Sequence, residues 1–250
     1  MIDSCGGLGW ATPGLETMRV LAEDALVIHV RAYRETSVIA QFFTASHGLV
    51  AIVGKGIKGA RGSRRGALRL AELQPFNRVR ISWVGGKGLA TLTQIEMSHS
   101  RALHGQSLAA GFYVLELLSR LLQEHDPHPR LYHTVHAVLD AIEADARLSV
   151  VLRRFERELL NELGFGVDFQ DDLGGVALIP EATYRLEDGE GFVADTSGVY
   201  PGAVLLAIHA NDYSNGSVRR AARHLFRDLL EPHLGGRPLT SRAMLRVSPK

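Results

Sequence analysis

Five short apolar runs in the first hundred residues, followed by long runs with helical spacing, predict an α+β chain: an N-terminal five-stranded OB-type β-barrel and then a mainly α-helical C-terminal domain. The spread of charge agrees with two parts of different character. The 250-residue chain has a net charge of only +1. Residues 1–100 nevertheless carry twelve Lys and Arg against seven Asp and Glu, whereas residues 101–250 carry sixteen against twenty. The expected division is a loosely held or disordered extension over residues 1–18, a nucleic-acid-binding barrel over 19–98 and a helical domain over 99–250, with a small irregular or β insertion at about 166–200.

The first strand rests on Ile28, Val30 and Ala32 alternating with His29, Arg31 and Tyr33, the period of a half-buried strand. Arg34, Glu35 and Thr36 turn the chain into a second strand at 38–43, and His47 and Gly48 turn it into a third at 49–53. Residues 75–84 read as a fourth strand, with Val79, Ile81 and Trp83 on its inner face. The glycine-rich run 85–88 is a hairpin turn into a fifth strand at 89–97.

Beyond Ser98 the period changes. Residues 108–123 are apolar nearly all round, as in a central helix buried on most sides. Residues 131–144 form an amphipathic helix on Leu131, Val135, Val138 and Ile142. In the next helix Ser149 is expected at the N-cap, Leu152, Phe155, Leu159 and Leu163 point inward, and Gly164 is the stop. Short strands are expected at 183–186 and 191–194. A last long helix is expected at about 217–234, with Val218, Ala222, Leu225 and Leu229 as its apolar stripe and Arg219, Arg223 and Arg227 as a ridge beside it.

The chemistry concentrates in residues 48–88. This stretch holds Lys55, Lys58, Arg61, Arg64, Arg65, Arg69, Arg78, Arg80 and Lys87 against a single acid, Glu72. Glycines separate the charges and strand-like runs flank them, so the pattern is a cationic loop on a β scaffold. Such a loop suits a polyanion, because each Lys or Arg that neutralises a phosphate releases counterions. Solubility alone is served by mixed signs. Arg31, Arg34, Arg78 and Arg80 extend the cationic surface onto the strands.

Other motifs carry less. Residues 54–59 match G-x-G-x-x-G, but no helix and βαβ unit follow, as a dinucleotide site requires. Neither Gly-Lys pair precedes Ser or Thr, so there is no Walker A loop. His125, His128, His133 and His136 read as surface and helix-end histidines rather than ligands. The single cysteine, Cys5, excludes an internal disulfide and a cysteine-based metal site and fits a reducing compartment. No run reaches the length of a membrane span. No nucleophile–base constellation is found, and neither an enzyme nor a cofactor is expected. Charge alone leaves a DNA-binding protein, an RNA-binding OB-fold module and a protein-interaction scaffold open.

Several strings together resemble the RecO family of bacterial recombination mediators: YRETS at 33–37, GKGIKGAR at 54–61, LQPF at 73–76, GFYVLELLSRLL at 111–122, LRRFERELLNELGFG at 152–166, GFVAD at 191–195 and LGGRPLTSR at 234–242. The resemblance implies DNA repair without catalysis. It implies binding of single- and double-stranded DNA, annealing of complementary strands, and help in loading RecA onto DNA coated by single-stranded-DNA-binding protein. Implied partners are RecR, RecA filaments indirectly, and the acidic C-terminal tail of the single-stranded-DNA-binding protein. Arg120 and Arg153 match the family pattern for holding that tail, with Arg154 and Arg157 beside them. The implied location is the cytoplasm, at the bacterial nucleoid. Many members carry a four-cysteine zinc site in the region corresponding to 167–190; this chain has no cysteine there, so no metal is carried over.

Overall fold

The computed structural model describes residues 18–57, 70–85 and 89–246. Five strands form the first part: β1 (Arg19–Tyr33), β2 (Ser37–Thr44), β3 (Gly48–Gly54), β4 (Arg78–Val84) and β5 (Ala90–His99). They hydrogen-bond in the order β1–β2–β3–β5–β4, and β1 pairs with both β2 and β4. The first half of β1 runs along β4 and the second half along β2, with a register shift in each ladder. Such bulges bend a strand, which lets a single β1 serve both neighbours. The expected OB-type barrel is present.

Side-chain alternation sorts the barrel into two apolar sets. Val27, Phe42, Val50, Ile52, Val79, Ile81 and Trp83 fill its interior. Their strand neighbours Leu26, Phe43 and Leu49 face the other way and join the core of the helical part. The fourth strand starts at Arg78, three residues later than its apolar pattern suggested. Phe76 takes a left-handed φ of 74°, and the main chain there exchanges hydrogen bonds with Val27 instead of extending a ladder.

The helical part begins with α1 (Gly105–Leu121), α2 (Pro129–Glu143) and α3 (Leu148–Glu162). All four expected stripe residues of α2 are buried. Helix α3 starts one residue before Ser149, and Arg147 occupies the cap position without a side-chain cap. Ser149 is therefore not the N-cap. Gly164 does end the helix, at a φ of 77°.

The cysteine-free segment that follows is shaped by aspartates. Asp168 accepts the N–H of Gln170, and Asp172 accepts those of Gly174 and Val176. A three-stranded sheet then forms from β6 (Thr183–Glu187), β7 (Gly191–Ala194) and β8 (Tyr200–Pro201), in the order β7–β6–β8. The chain closes with α4 (Gly202–His209), α5 (Gly216–Leu230), a 3-10 turn (Glu231–Leu234) and α6 (Thr240–Arg246). The N-cap of α5 is Asn215, whose side chain accepts from the N–H of Ser217. Among the described residues, no helix is long and apolar enough to cross a membrane.

Candidate nucleic-acid interface and basic groove

The strand register gives the barrel two ends. One end, around Leu26, Phe43, Leu49 and Arg78, packs on the helices. At the other end β1 turns into β2, and β3, β4 and β5 reach Gly54, Val84 and Ala90. Arg31 pairs with Ile39 and Ile39 with Val53, so these three form one row across the sheet, about 10 Å wide. Arg34 and Lys55 lie just beyond that row. All three cations are exposed. Arg34 stacks over the ring of its neighbour Tyr33, 5.2 Å from the centroid, which keeps its charge at the rim. Lys58, Arg61, Arg64, Arg65, Arg69 and Lys87 lie outside the described residues. By sequence, Lys58 follows Lys55 by three positions.

Arg78 and Arg80 belong elsewhere. Arg78 stands at the end that packs on the helices, and it shares Asp24 with Arg80, at 2.9 and 3.4 Å. The hydrogen bond to Asp24 raises the pKa of Arg78 further. The Arg78 charge also faces Tyr132 of α2, whose phenol burial pushes up to about 12. These two arginines are therefore partly neutralised and lie apart from Arg31, Arg34 and Lys55.

The second cationic feature is a groove between α3, α5 and α6. Arg153, Arg223, Arg227 and Arg242 line it with Tyr113 and Leu245. It continues past Arg153 and Arg223 toward Leu148, Leu152 and Arg219, so apolar and cationic walls alternate. At its base lies a buried ion pair. Arg153 donates to Glu156 Oε1 at 2.5 Å, and Tyr113 donates to the same oxygen at 2.6 Å. Complete burial pushes the Glu156 carboxyl up, against the pull of Arg153 and Tyr113. Burial and the neighbouring carboxylate raise the Tyr113 phenol as well. Arg153 Nε and Arg242 Nη2 are buried and make no hydrogen bond with the described residues. The groove thus sets the exposed guanidinium groups of Arg223 and Arg227 beside apolar surface.

The other arginines singled out from sequence are not in this groove. Arg120 donates to the carbonyls of Pro238 and Leu234, fixing the turn before α6. Arg157 donates to the carbonyls of Ile208 and His209 at the end of α4 and lies over Phe169. Both serve as C-terminal caps, completing carbonyls that a helix or turn leaves open. Arg154 is exposed on α3. The sequence singles out the Arg219–Arg223–Arg227 ridge but marks Arg242 only as the last letter of the string LGGRPLTSR.

Two family models cover nearly all of the folded chain. The model described as Recombination protein O N terminal matches residues 18–101, and Recombination protein O C terminal matches residues 104–243. Similar proteins include the DNA repair protein RecO of Halorhodospira halophila, 36% identical over 90% of this chain and 96% of that one. The DNA repair protein RecO of Methylococcus capsulatus is 37% identical over 92% and 95% of the two chains. That of Xanthomonas euvesicatoria is 38% identical over 91% and 97%. The chain belongs to the RecO family of DNA repair and recombination proteins.

Proposed function

We propose that this chain is a recombination mediator. It binds single- and double-stranded DNA on the barrel, anneals complementary strands and helps RecA load onto DNA coated by single-stranded-DNA-binding protein. The observation that carries the reading is the exposed Arg31, Arg34 and Lys55 at the end of an OB-type barrel where β1 turns into β2, in sequence continuity with the cationic stretch. Phosphate contacts by such side chains supply affinity without sequence preference. They leave the bases free, which annealing needs.

The groove at Arg153, Arg223 and Arg242 supports the second half of the reading. An acidic tail finds guanidinium donors for its carboxylates and apolar walls for its other side chains there. Arg154 lies outside the groove and can meet the acidic residues that precede the terminus. RecR and, indirectly, RecA filaments are the further partners, and the work is done in the cytoplasm, on the nucleoid. The role is binding and exchange rather than catalysis.

The test is fluorescence anisotropy of a labelled oligonucleotide, as single strand and duplex, over a salt series, with labelled tail peptide in parallel. Binding should weaken steeply with salt, with a log–log slope of about −0.9 for every duplex phosphate neutralised. Replacing Lys55, Arg61, Arg64 and Arg65 together with alanine should flatten that slope by roughly one unit for every phosphate no longer neutralised, and leave tail binding intact. Unchanged affinity in this variant would remove the barrel from the DNA-binding role. Stronger competition by RNA than by DNA would favour an RNA-binding module instead.

A further inference from the structure

We propose that His99, Asp140 and Glu143 form a divalent-metal site that fastens the end of β5 to helix α2. His99 is the last residue of β5, and the two acids stand one turn apart on α2. One ligand atom from each lies within 4.8 Å of the others. His99 Nε2 is 3.4 Å from Glu143 Oε2. A tetrahedral metal with N and O ligands at about 2.0–2.2 Å holds neighbouring ligand atoms about 3.4 Å apart. Asp140 needs only a small side-chain closure to join them.

The remaining oxygens are already oriented by the protein. Asp140 Oδ1 accepts from Arg101 Nε and Nη2 at 3.0 and 2.6 Å, and Glu143 Oε1 accepts the N–H of Ala102 at 3.0 Å. Ligating carboxylates are characteristically fixed in this way through their second oxygen. The three side chains remain 31–60% exposed, so a cation can enter and keep water in its other positions. Arg101 offsets one carboxylate, and with neutral imidazole the cluster carries one net negative charge, suited to a dication. A nitrogen ligand among the three favours zinc over magnesium. The site uses neither the cationic barrel end nor the arginine groove, so it stands apart from the proposed DNA and tail surfaces.

The test compares melting of the full chain, first freed of metal with a chelator and then given zinc or magnesium chloride. The unaltered protein, His99→Ala and Glu143→Gln are measured together. The glutamine keeps an acceptor for Ala102 while removing the charge. Zinc should raise the melting temperature of the unaltered chain by about 3–6 °C. Magnesium should leave it in place, and both variants should lose most of the zinc effect. No zinc effect in the unaltered chain would overturn the proposal. So would an equal effect in both variants, which would assign it to other side chains such as His125, His128 and His133. A magnesium effect as large as that of zinc would overturn the assigned ligand set.

Discussion

Arg153 has two tasks that conflict. It must stay beside Glu156 at the base of the groove, and on the proposed reading it must also meet an acidic ligand. The ion pair is nearly sealed, with side-chain exposures of 8% and 1%. Breaking such a pair from one side leaves the other charge buried, which costs far more than the intact pair contributes. Arg153→Ala should therefore destabilise the chain by about 3–5 kcal/mol. The double replacement Arg153→Met, Glu156→Leu should recover part of that loss, because no buried charge remains although the Tyr113 hydroxyl loses its acceptor. Urea unfolding of the three proteins checks both statements. Arg223→Ala, at an exposed position on α5, should leave unfolding unchanged and weaken the tail peptide. The pair of experiments separates an arginine that builds the groove from one that serves its ligand.

Among the elements, the β2–β3 turn shows how the barrel meets the helices. Gly48 sits there at a φ of 62°, and a Cβ on it would stand 2.0 Å from the carbonyl oxygen of Asp126. The same stretch is joined by the N–H of His125 donating to the carbonyl of Leu49. Gly164, at the end of α3, has a similar φ of 77° but open space around it. Gly164→Ala should cost only the conformational term, about 1 kcal/mol. Gly48→Ala adds a main-chain clash and should lower the melting temperature several degrees further, as calorimetry would record. The contrast also marks what sequence can show. A glycine after an apolar helical stripe announces a stop, and the strands and the longer helices announce themselves by period. The close approach at Asp126 depends on a residue 78 positions away and leaves no local trace. The groove was hidden for the same reason, since Arg153, Arg223 and Arg242 come from three helices. Helices α4 and α6 have eight and seven residues, too short for a period to establish itself. Ser149 had the right chemistry for a cap, but the helix began one residue before it.

At the scale of the whole molecule, barrel and helices are joined through Arg101, whose side chain is 2% exposed. Its Nη1 donates to the carbonyl of Phe76 in the barrel at 2.9 Å, and its other nitrogens reach Asp140 and His136 on α2. A guanidinium only donates. His136 Nδ1, 3.2 Å away, must therefore accept, which requires a neutral ring protonated on Nε2. Burial lowers the His136 pKa to about 4, and the charges of Arg101 and Arg78 push in the same direction against Asp140. Between about 6.5 and 4 the unfolded chain binds a proton at this residue and the native chain does not, so stability falls as pH is lowered through that window. The slope from this group alone is at most about 1.4 kcal/mol per pH unit. His136→Asn keeps an acceptor for Arg101 and removes the titration. Urea unfolding at pH 7, 6 and 5, in buffer containing a chelator, should show the unaltered chain losing more stability than the variant across the window. Equal losses would mean that the imidazole is not held neutral, and Arg101 would then join the two parts without its third partner.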